Sequence, residues 1–551
     1  MVWRPEDPEG QEVGKVRHIL ARYTRGRCLD LGAGPWPIWP NALTVDDMDE
    51  WKAAPDWRPD IVGDVRDLSL FADRSFDSVF SSHVLEHIED TEKTLREWWR
   101  VVKVGGHLTL YLPHRDHYPR MGQPGSNNDH KHDFAPEDIV EIMAKMPGGW
   151  DLVENQTRTG GREYSFLVIF QKKKGSGHDY SWIKRLDARA GKKAVCVIRF
   201  GGIGDVAQIT SVFPWFHENG WHVTFMTSEN GEAIVKHDPN VDEIWAQDTG
   251  QVPDEWLLDY WQRLGGEFDK VVNLCEAVEG TLLGIPGRRD HALPHAARAL
   301  VKDVNYHEMI HAIAGAPLPM RQDFYHTPEE LAWARDLRAK VDGPVIVYCP
   351  MGTSVHKLWP HCGDFFSHII DTHPTAVILS LGGKQEQQSF ERPVLEKLCN
   401  HYVGKSYDEL KALDLKELAP MLTAALGRKR FFWHAGLWDI RQTAAFLRVG
   451  ADVIVGPETG MMNIAASMDV AKVLMLSHSS HEMLSKYWTN TIVIPSSGCI
   501  ESPCRRMHYD WSCCYRDDTT KAAVCAAAIS GAEIADIVLS IIKPKEKAAA
   551  E

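Results

Sequence analysis

Short apolar runs alternate with amphipathic stretches along the first third of the chain. Five runs predict strands, at residues 28–31, 43–45, 78–81, 107–112 and 166–170. Between the third and the fourth run, residues 91–102 place apolar side chains at helical spacing. Strands that alternate with helices in this way predict a parallel sheet covered by helices.

The same alternation returns twice in the remaining two thirds of the chain. Strands are predicted at residues 195–200, 223–227 and 270–274, and a further set at 345–349, 375–381, 431–434, 453–455 and 472–476. A helical bridge is predicted around 328–340. Two similar α/β halves in tandem predict a ligand cleft where they meet.

These patterns and the length of 551 residues predict three domain-sized units, because a single hydrophobic core rarely grows so large. The predicted boundaries are 1–172 for the first unit, 173–193 for a polar linker, 194–342 for the second unit and 343–542 for the third. Residues 543–551 read as a flexible tail.

Composition and charge change this picture little. Hydrophobic content of 44% and charged content of 25% are ordinary for globular proteins. No apolar run reaches the ~18 residues of a membrane span, and the first residues do not resemble a secretory signal, so a cytoplasmic location is expected. The net charge of -15 argues against a general nucleic-acid binder, although it leaves room for a local basic groove.

Two strands run directly into glycine-rich turns, at residues 27–35 and 195–205. Glycine at such a turn lets the backbone approach a ligand where a side chain would collide. Two turns of this kind indicate two nucleotide-binding sites, and therefore two chemistries in one polypeptide.

The first turn, Asp30-Leu31-Gly32-Ala33-Gly34-Pro35, resembles the first motif of class I S-adenosylmethionine-dependent methyltransferases. Residues 62–65, 75–88 and 101–108 resemble later segments of the same family in the same order, so the resemblance covers about 20–172. It implies a Rossmann-like domain that binds S-adenosylmethionine. The implied cofactor-binding residues are Asp30, Gly32, Gly34, Asp46, Asp64, Val65 and His83, with Asp46 on the ribose and Asp64 near the adenine.

Histidines crowd the loop after the predicted strand 107–112, where the acceptor of this family docks. They are His114, His117, His130 and His132. A base is needed only for a hydroxyl or a protonated amine acceptor, and His114 is the candidate for it. Each histidine could equally cap a turn or lie at the surface. His130, His132 and Asp133 together could also bind a metal ion, a hypothesis we do not favour.

The second turn, Arg199-Phe200-Gly201-Gly202-Ile203-Gly204-Asp205, resembles the opening of the heptosyltransferase-like glycosyltransferase family 9. Residues 237–244, 268–274, 356–360 and 455–466 resemble later motifs of that family. The resemblance covers about 194–542. It implies the GT-B arrangement of two Rossmann-like halves, an acceptor half followed by a nucleotide-sugar half.

Each implied site residue suits its chemistry. Asp205 would be the general base on an acceptor hydroxyl, although a helix N-cap would also explain an aspartate there. Lys357 would neutralise charge on the leaving diphosphate. The remaining nucleotide-sugar-binding residues are Gly201, Gly202, Gly204, Glu458, Thr459, Gly460 and Asn463, of which Glu458 suits ribose.

Two departures from the family bear on the donor. The family often has aspartate at the position of Glu458 and histidine at the position of Asn463. The resemblance favours an ADP-sugar, but these changes leave another nucleotide sugar open.

Five cysteines crowd the segment 499–525: Cys499, Cys504, Cys513, Cys514 and Cys525. No two of them form a Cys-x-x-Cys pair, so the spacing is poor for a metal. A structural zinc site is one interpretation, and buried thiols or a disulfide formed on isolation is the other.

Together these features predict a bifunctional enzyme that transfers a methyl group and a heptose-like or other hexose sugar. The expected acceptor is a small molecule or a glycan, as in surface glycan or lipopolysaccharide-type synthesis. Two alternatives stay open. The sugar acceptor could be a modified DNA base or a protein, or the first domain could be a non-catalytic scaffold beside a glycosyltransferase.

Overall fold

The computed structural model describes residues 12–48, 57–160, 163–275, 277–278, 280, 282–285, 287–317, 321–350, 352, 354–383, 390–434, 436–507 and 515–542. The chain forms two compact units. The first comprises Met1–Cys196, Gly220–Glu229 and Trp245–Val271, and the second comprises Val197–Asn219, Asn230–Ile244 and Val272–Glu551.

An eight-stranded sheet organises the first part of the chain. Its strands are β1 (Cys28–Leu31), β2 (Leu43–Asp46), β3 (Ile61–Val62), β4 (Phe76–Ser82), β5 (Val102–Pro113), β6 (Gly149–Arg158), β7 (Ser165–Lys173) and β8 (His178–Asp179). They lie in the order β3–β2–β1–β4–β5–β7–β6–β8. The first five follow the 3-2-1-4-5 order of a doubly wound sheet.

This sheet is mixed, although the sequence pattern predicts a parallel one. The pairs among β1 to β5 are parallel, but β7 runs antiparallel to both β5 and β6. Residues 159–164 join β6 to β7 and are too few for a crossover helix, so these two strands can only pair antiparallel. The long strand β6 is absent from the sequence prediction.

The helices that cover this sheet are short. They are α1 (Arg17–Leu20), α2 (Thr91–Val101), α3 (Pro136–Met143) and α4 (Ser181–Arg189). Helix α2 begins where the Asp90 side chain accepts a hydrogen bond from the Lys93 N–H at 3.2 Å, and it buries Leu95, Trp98 and Trp99 against the sheet. This apolar face anchors the helix, as its spacing predicts.

Two further sheets lie in the remainder of the chain. The first contains β9 (Ala194–Ile198), β10 (His222–Ser228), β11 (Glu243–Gln247) and β12 (Lys270–Asn273), in the order β11–β10–β9–β12. The second contains β13 (Val345–Tyr348), β14 (Val377–Ser380), β15 (Phe431–Trp433), β16 (Val453–Pro457), β17 (Ala471–Met475) and β18 (Thr491–Ile494). Its order, β15–β14–β13–β16–β17–β18, is the Rossmann order 3-2-1-4-5-6.

Helices flank these sheets along the chain. Those from 203 to 338 are α5 (Ile203–Ile209), α6 (Phe213–Glu218), α7 (Glu229–Val235), α8 (Leu257–Gly265), α9 (His295–Lys302), α10 (Tyr306–Ala314) and α11 (Pro328–Arg338). The later ones are α12 (Cys362–Thr372), α13 (Arg392–Val403), α14 (Tyr407–Lys411), α15 (Leu415–Ala425), α16 (Ile440–Val449), α17 (Gly460–Ala465), α18 (His481–Leu484), α19 (Val524–Ala527) and α20 (Gly531–Ile542).

The third sheet shows why its strands read as continuous apolar runs. All four residues of β13 and all five of β16 are buried, because parallel sheets carry helices on both faces. Helix α12 adds Phe365, Phe366 and Ile369 to the core around Tyr348. The strand pairs from β13 to β18 are all parallel.

The predicted α/β class is confirmed, and each predicted strand overlaps an observed one. The bridge predicted at 328–340 is helix α11. The segment predicted as a linker, 173–193, contains β8 and α4. Among the described residues, no helix combines the length and the apolar character needed to span a bilayer.

Candidate functional site

A cavity of about 510 Å³ opens beside the eight-stranded sheet. In an open α/β sheet, ligands bind outside the carboxyl ends of the strands at the point where the strand order reverses. Here that point lies between β1 and β4, and the residues that follow both strands line the cavity. Its volume is in the usual range for small-molecule and cofactor sites.

The glycine turn after β1 forms one wall. Gly32 has φ +71°, and a Cβ there would overlap Val84 Cγ2, so only glycine fits without displacing that side chain. Gly34 has φ +52° and donates its N–H to Asp46 Oδ2 at 3.0 Å. Asp30 Oδ2 accepts from the Ile38 N–H at 2.7 Å and so fixes the far end of the turn.

Two buried carboxyl groups face the cavity beside this turn. Burial raises the pKa of Asp30 to about 7, although its hydrogen bond from Ile38 opposes that rise. Burial also raises the pKa of Asp46, while hydrogen bonds from the N–H groups of Met48 and Gly34 oppose it. Asp46 therefore combines a polar acceptor with a shielded position, which suits the hydroxyls of a ribose.

Asp64 and Val65 line the same cavity after β3. The Asp64 carboxylate pairs with the Arg66 guanidinium at 2.7 Å, and the hydrogen bond from Arg66 holds the pKa of Asp64 below its usual range. The Val65 carbonyl accepts from Trp98 Nε1 at 2.8 Å, which fixes this loop to helix α2. The structure thus brings Asp30, Gly32, Gly34, Asp46, Asp64 and Val65 to one cavity.

His83 also lines the cavity, directly after β4. Its backbone is left-handed, with φ +54°, and its Nε2 lies 3.0 Å from Ser165 Oγ. Burial lowers the pKa of His83 to about 3, so the imidazole is neutral near neutral pH. A neutral ring can position a ligand by hydrogen bonding but is a weak base.

The loop after β5 contributes one histidine to the cavity rather than four. His130 lines it, whereas His114 does not: its Nδ1 accepts from the Asp116 N–H at 3.1 Å. His132 Nε2 lies 3.1 Å from the Glu89 carbonyl. The role of His114 as a base stays a prediction without a cavity contact in this structure.

Several cavity residues have no signal in the sequence motifs. The tilted rings of Tyr118 and Tyr164 pack with their centroids 4.9 Å apart, and the Tyr164 hydroxyl donates to Glu12 Oε1 at 3.2 Å. Asn127 and Glu86 complete this side. Glu86 could have been found from the sequence, because it stands between His83 and His87, whereas Glu12 comes from a distant segment that only the fold brings here.

A second site residue follows β9. Asp205 lies in the first turn of α5, with its N–H donating to the Gly202 carbonyl at 3.0 Å, and its Oδ2 lies 3.2 Å from Arg199 Nη2. Arg199 is fully buried and also donates from Nη1 to the Leu274 carbonyl at 2.9 Å. Gly201 has φ +111° and makes the turn between them. The buried guanidinium thus fixes the Asp205 carboxylate.

Helices α5 and α17 pack closely through glycines, within the second unit. A Cβ on Gly204 would lie 3.0 Å from Asn463 Nδ2, and one on Gly460 would lie 2.5 Å from Ile203 Cγ1. Asn463 Oδ1 accepts from Gln208 Nε2 at 2.8 Å. Packing accounts for Gly204, Gly460 and Asn463 here, and their contact with a nucleotide sugar stays a prediction.

Glu458 follows β16 and is buried. Its Oε1 accepts from the Ser477 N–H at 2.5 Å, and its Oε2 lies 3.1 Å from His478 Nδ1. Thr459 caps α17, with its side chain accepting from the Met462 N–H at 3.3 Å. Both residues therefore fix the turn between β16 and α17. The predicted contact of Glu458 with ribose is not tested by these bonds.

Lys357 lies in the turn after β13, with its N–H donating to the Ser354 carbonyl at 3.0 Å. A Cβ on Gly352 would lie 2.6 Å from Lys357 Cδ and 3.6 Å from the Glu458 carbonyl oxygen. The lysine stem and the Glu458 backbone therefore flank Gly352 at the carboxyl edge of the third sheet. Strands β13 and β16 are the two between which the order reverses.

The predicted cysteine site lies partly outside the described residues, because Cys513 and Cys514 do. Cys499 and Cys504 are half-buried, and Cys525 is buried. Within the ranges that the structure describes, one group of three ligand-type side chains is close enough to share a metal ion: Glu86, His87 and His130.

A family model described as "Methyltransferase domain" matches residues 39–110. No curated protein matches the chain. Solved structures similar to it include the E. coli ADP-heptose LPS heptosyltransferase II, at 14% identity over 64% of this chain and 98% of that chain, with a TM-score of 0.40.

A glycosyl transferase family 9 protein from Veillonella parvula DSM 2008 is 13% identical over 64% of this chain and 97% of that chain, with a TM-score of 0.42. A SAM-dependent methyltransferase from Archaeoglobus fulgidus is 15% identical over 29% of this chain and 92% of that chain, with a TM-score of 0.22. These likenesses assign no substrate to this protein.

Proposed function

We propose that this protein is a bifunctional transferase with an S-adenosylmethionine-dependent methyltransferase site and a nucleotide-sugar-dependent glycosyltransferase site. The observation that carries the first activity is the cavity at the switch point of the eight-stranded sheet, with Asp46 and the glycine turn in its wall. The methyltransferase-domain match at residues 39–110 supports it.

The residues of this cavity fit S-adenosylmethionine. Each Asp46 carboxylate oxygen accepts one backbone N–H, at 2.7 Å from Met48 and 3.0 Å from Gly34, which leaves lone pairs for two ribose hydroxyls. Asp64 would accept from the adenine amino group. Arg66 would then have to share the Asp64 carboxylate with the ligand or turn away from it.

When bound, S-adenosylmethionine supplies a methyl group on a positively charged sulfur. The protein needs to hold the acceptor in line with that group and to exclude water. Tyr118 and Tyr164, with ring centroids 4.9 Å apart, would shield the acceptor side. His83 is neutral near neutral pH and would position the acceptor by a hydrogen bond.

The glycosyltransferase activity is proposed from Asp205. Its carboxylate lies at a glycine turn, with 30% of the side chain exposed, and the buried Arg199 fixes it at 3.2 Å. Asp205 would take the proton of an acceptor hydroxyl as that oxygen attacks the sugar. Lys357 would neutralise charge on the leaving diphosphate, for which an ADP-sugar is the favoured donor. The acceptor would be a small molecule or a glycan.

Binding of S-adenosylhomocysteine to the full chain, measured by calorimetry, tests the first site. We expect one equivalent per chain, and Asp46→Asn should weaken the affinity by about tenfold or more, because one ribose hydroxyl loses its charged acceptor. Asp67→Asn is the matched control, since that exposed carboxylate bonds the Ser69 N–H outside the cavity wall. Equal affinity in the wild type and in Asp46→Asn would exclude this site.

A further inference from the structure

Three ligand-type side chains meet at the acceptor side of the cavity. One carboxylate oxygen of Glu86 and one ring nitrogen each of His87 and His130 lie within 4.8 Å of one another. All three side chains line the cavity that also contains Asp46 and Gly32. Nothing in the proposed methyl transfer so far uses this cluster.

The backbone fixes the cluster. Glu86 and His87 belong to the 3-10 turn Leu85–His87 after β4, and His130 comes from the loop after β5. The Glu86 carbonyl accepts from the N–H groups of Lys131 at 2.7 Å and His132 at 3.2 Å. These two bonds hold the loop so that His130 lies beside Glu86 and His87. The ring centroids of His87 and His130 are 4.9 Å apart, and the two rings are nearly perpendicular.

Burial makes this arrangement informative. Glu86 is fully buried, and a buried carboxylate is expensive unless a cation or strong hydrogen bonds stabilise it. The ion-pair neighbours of Glu86 Oε1 are imidazoles, His83 at 3.7 Å and His87 at 4.0 Å. A metal ion held between the Glu86 carboxylate and the two imidazoles would offset the cost of burying that charge.

We propose that Glu86, His87 and His130 bind a divalent transition-metal ion of the zinc type, and that an oxygen of the methyl acceptor takes its open position. Two imidazoles and one carboxylate are a donor set of catalytic zinc sites, in which the fourth position stays open. Tetrahedral bonds of about 2.0–2.1 Å place ligand atoms about 3.3 Å apart, so the cluster would close by at most about 1.5 Å on binding.

That the methyl acceptor binds the ion rests on the proposed methyltransferase function. If it does, the acceptor group is a hydroxyl. Coordination would lower the pKa of that hydroxyl, whose proton passes to bulk water. The oxygen then bonds to the methyl carbon as the sulfur–carbon bond breaks, with its electron pair staying on sulfur.

Cobalt(II) is the probe that tests the site, because its visible absorption reports ligands that zinc does not show. The full chain, stripped with a chelator, would be titrated with Co²⁺ and then with Zn²⁺. We expect one equivalent with nitrogen–oxygen ligation, displaced by zinc. Glu86→Gln and His130→Asn should each weaken it by at least about 100-fold, whereas His132→Asn, in the same loop, should leave it unchanged.

The same samples separate this proposal from the proposed function. S-Adenosylhomocysteine binding, measured on each variant, reports an intact fold and an intact donor site independently of the metal. Loss of cobalt binding with retained S-adenosylhomocysteine binding supports the metal site. Cobalt that fails to bind, or that binds equally in Glu86→Gln and His130→Asn, overturns it, because such an ion would lie elsewhere in the chain.

Discussion

The aspartates of the proposed sites also have structural roles, because their carboxylates are held by hydrogen bonds or ion pairs within the chain. Asp30 and Asp46 both point into the cavity wall, yet each also holds a segment of the glycine turn through hydrogen bonds from Ile38 and Gly34. Arg199 fixes Asp205 in the same manner. The sequence motifs identified these aspartates, but not the backbone groups and the buried arginine that orient them, because those contacts arise only in the folded chain.

A glycine substitution tests the donor cavity at the residue scale. Gly32→Ala should weaken S-adenosylhomocysteine binding by about tenfold or more, because the new Cβ would overlap Val84 and distort the turn. Gly122→Ala is the matched control. Gly122 is also left-handed, with φ +80°, but a Cβ there meets nothing within 4 Å. Equal weakening in both variants would mean that backbone strain alone matters.

The carboxylate of Asp205 offers a second test at this scale. Asp205→Asn should slow sugar transfer by about 10²–10⁴-fold, because an amide cannot take the acceptor proton, while S-adenosylhomocysteine binding is unchanged. Release of nucleoside diphosphate measures the transfer. Asp254→Asn, on an exposed carboxylate of the first compact unit, should behave as wild type. Undiminished transfer in Asp205→Asn would remove its role as base.

At the scale of helices and strands, the apolar pattern predicts the buried parallel strands well and the strands at or near the sheet edges poorly. Strands such as β13 and β16 are buried on both faces and so appear as unbroken apolar runs. Strand β6 mixes buried, half-buried and exposed positions and carries Asp151, Glu154 and Arg158, so it does not stand out as an apolar run. Its antiparallel pairing with β7 follows from the short connection between them, but only once β6 itself is recognised as a strand.

The close contact between α5 and α17 should make stability sensitive to substitution of Gly204. Gly204→Ala should lower stability by about 1–3 kcal/mol, because its Cβ would press on Asn463 and Gly460. Alanine otherwise favours a helix over glycine, by about 1 kcal/mol. Gly265→Ala, in α8 with nothing within 4 Å of its Cβ, should therefore be neutral or stabilising. Thermal unfolding of both variants gives the comparison, and a stabilised Gly204→Ala would contradict the packing role.

At the scale of the whole molecule, the first compact unit extends beyond the domain that the sequence motifs outline. It includes Trp245–Val271, which contains helix α8. Trp256 lies 4.4 Å from the Arg17 guanidinium, and Gln251 Nε2 donates to the Ala21 carbonyl at 3.0 Å. The pattern could not predict these contacts, since they join polar and aromatic residues that are distant in sequence.

Glu267 bonds His18 and Arg158 within the same unit, and its ionisation should make the stability of the fold depend on pH. Burial would raise its pKa, but the hydrogen bond from His18 and the charge of Arg158 lower it to about 2. A depressed carboxyl pKa adds stability above the unfolded value of about 4.5, and that stability is lost as the pH falls toward 2. Burial also lowers the pKa of His18, which adds to the loss at acid pH.

Glu267→Gln should therefore lower the melting temperature at pH 7, by the equivalent of about 1–2 kcal/mol, and the difference from wild type should shrink near pH 3. Glu255→Gln, on an exposed residue of the same segment, should have no such effect. Melting curves between pH 7 and pH 3 measure it. A difference that stays constant over this range would show that the Glu267 charge does not stabilise the fold.

If one chain binds a methyl donor and a nucleotide sugar at separate sites, native mass spectrometry should detect both ligands on it at once. The full chain would be offered S-adenosylhomocysteine together with ADP-, UDP-, GDP- and CMP-sugars, in wild type and in Gly32→Ala. We expect wild type to bind one S-adenosylhomocysteine and one sugar nucleotide at once, and Gly32→Ala to lose only the first. Competition between the two ligands, or the absence of either, would contradict it.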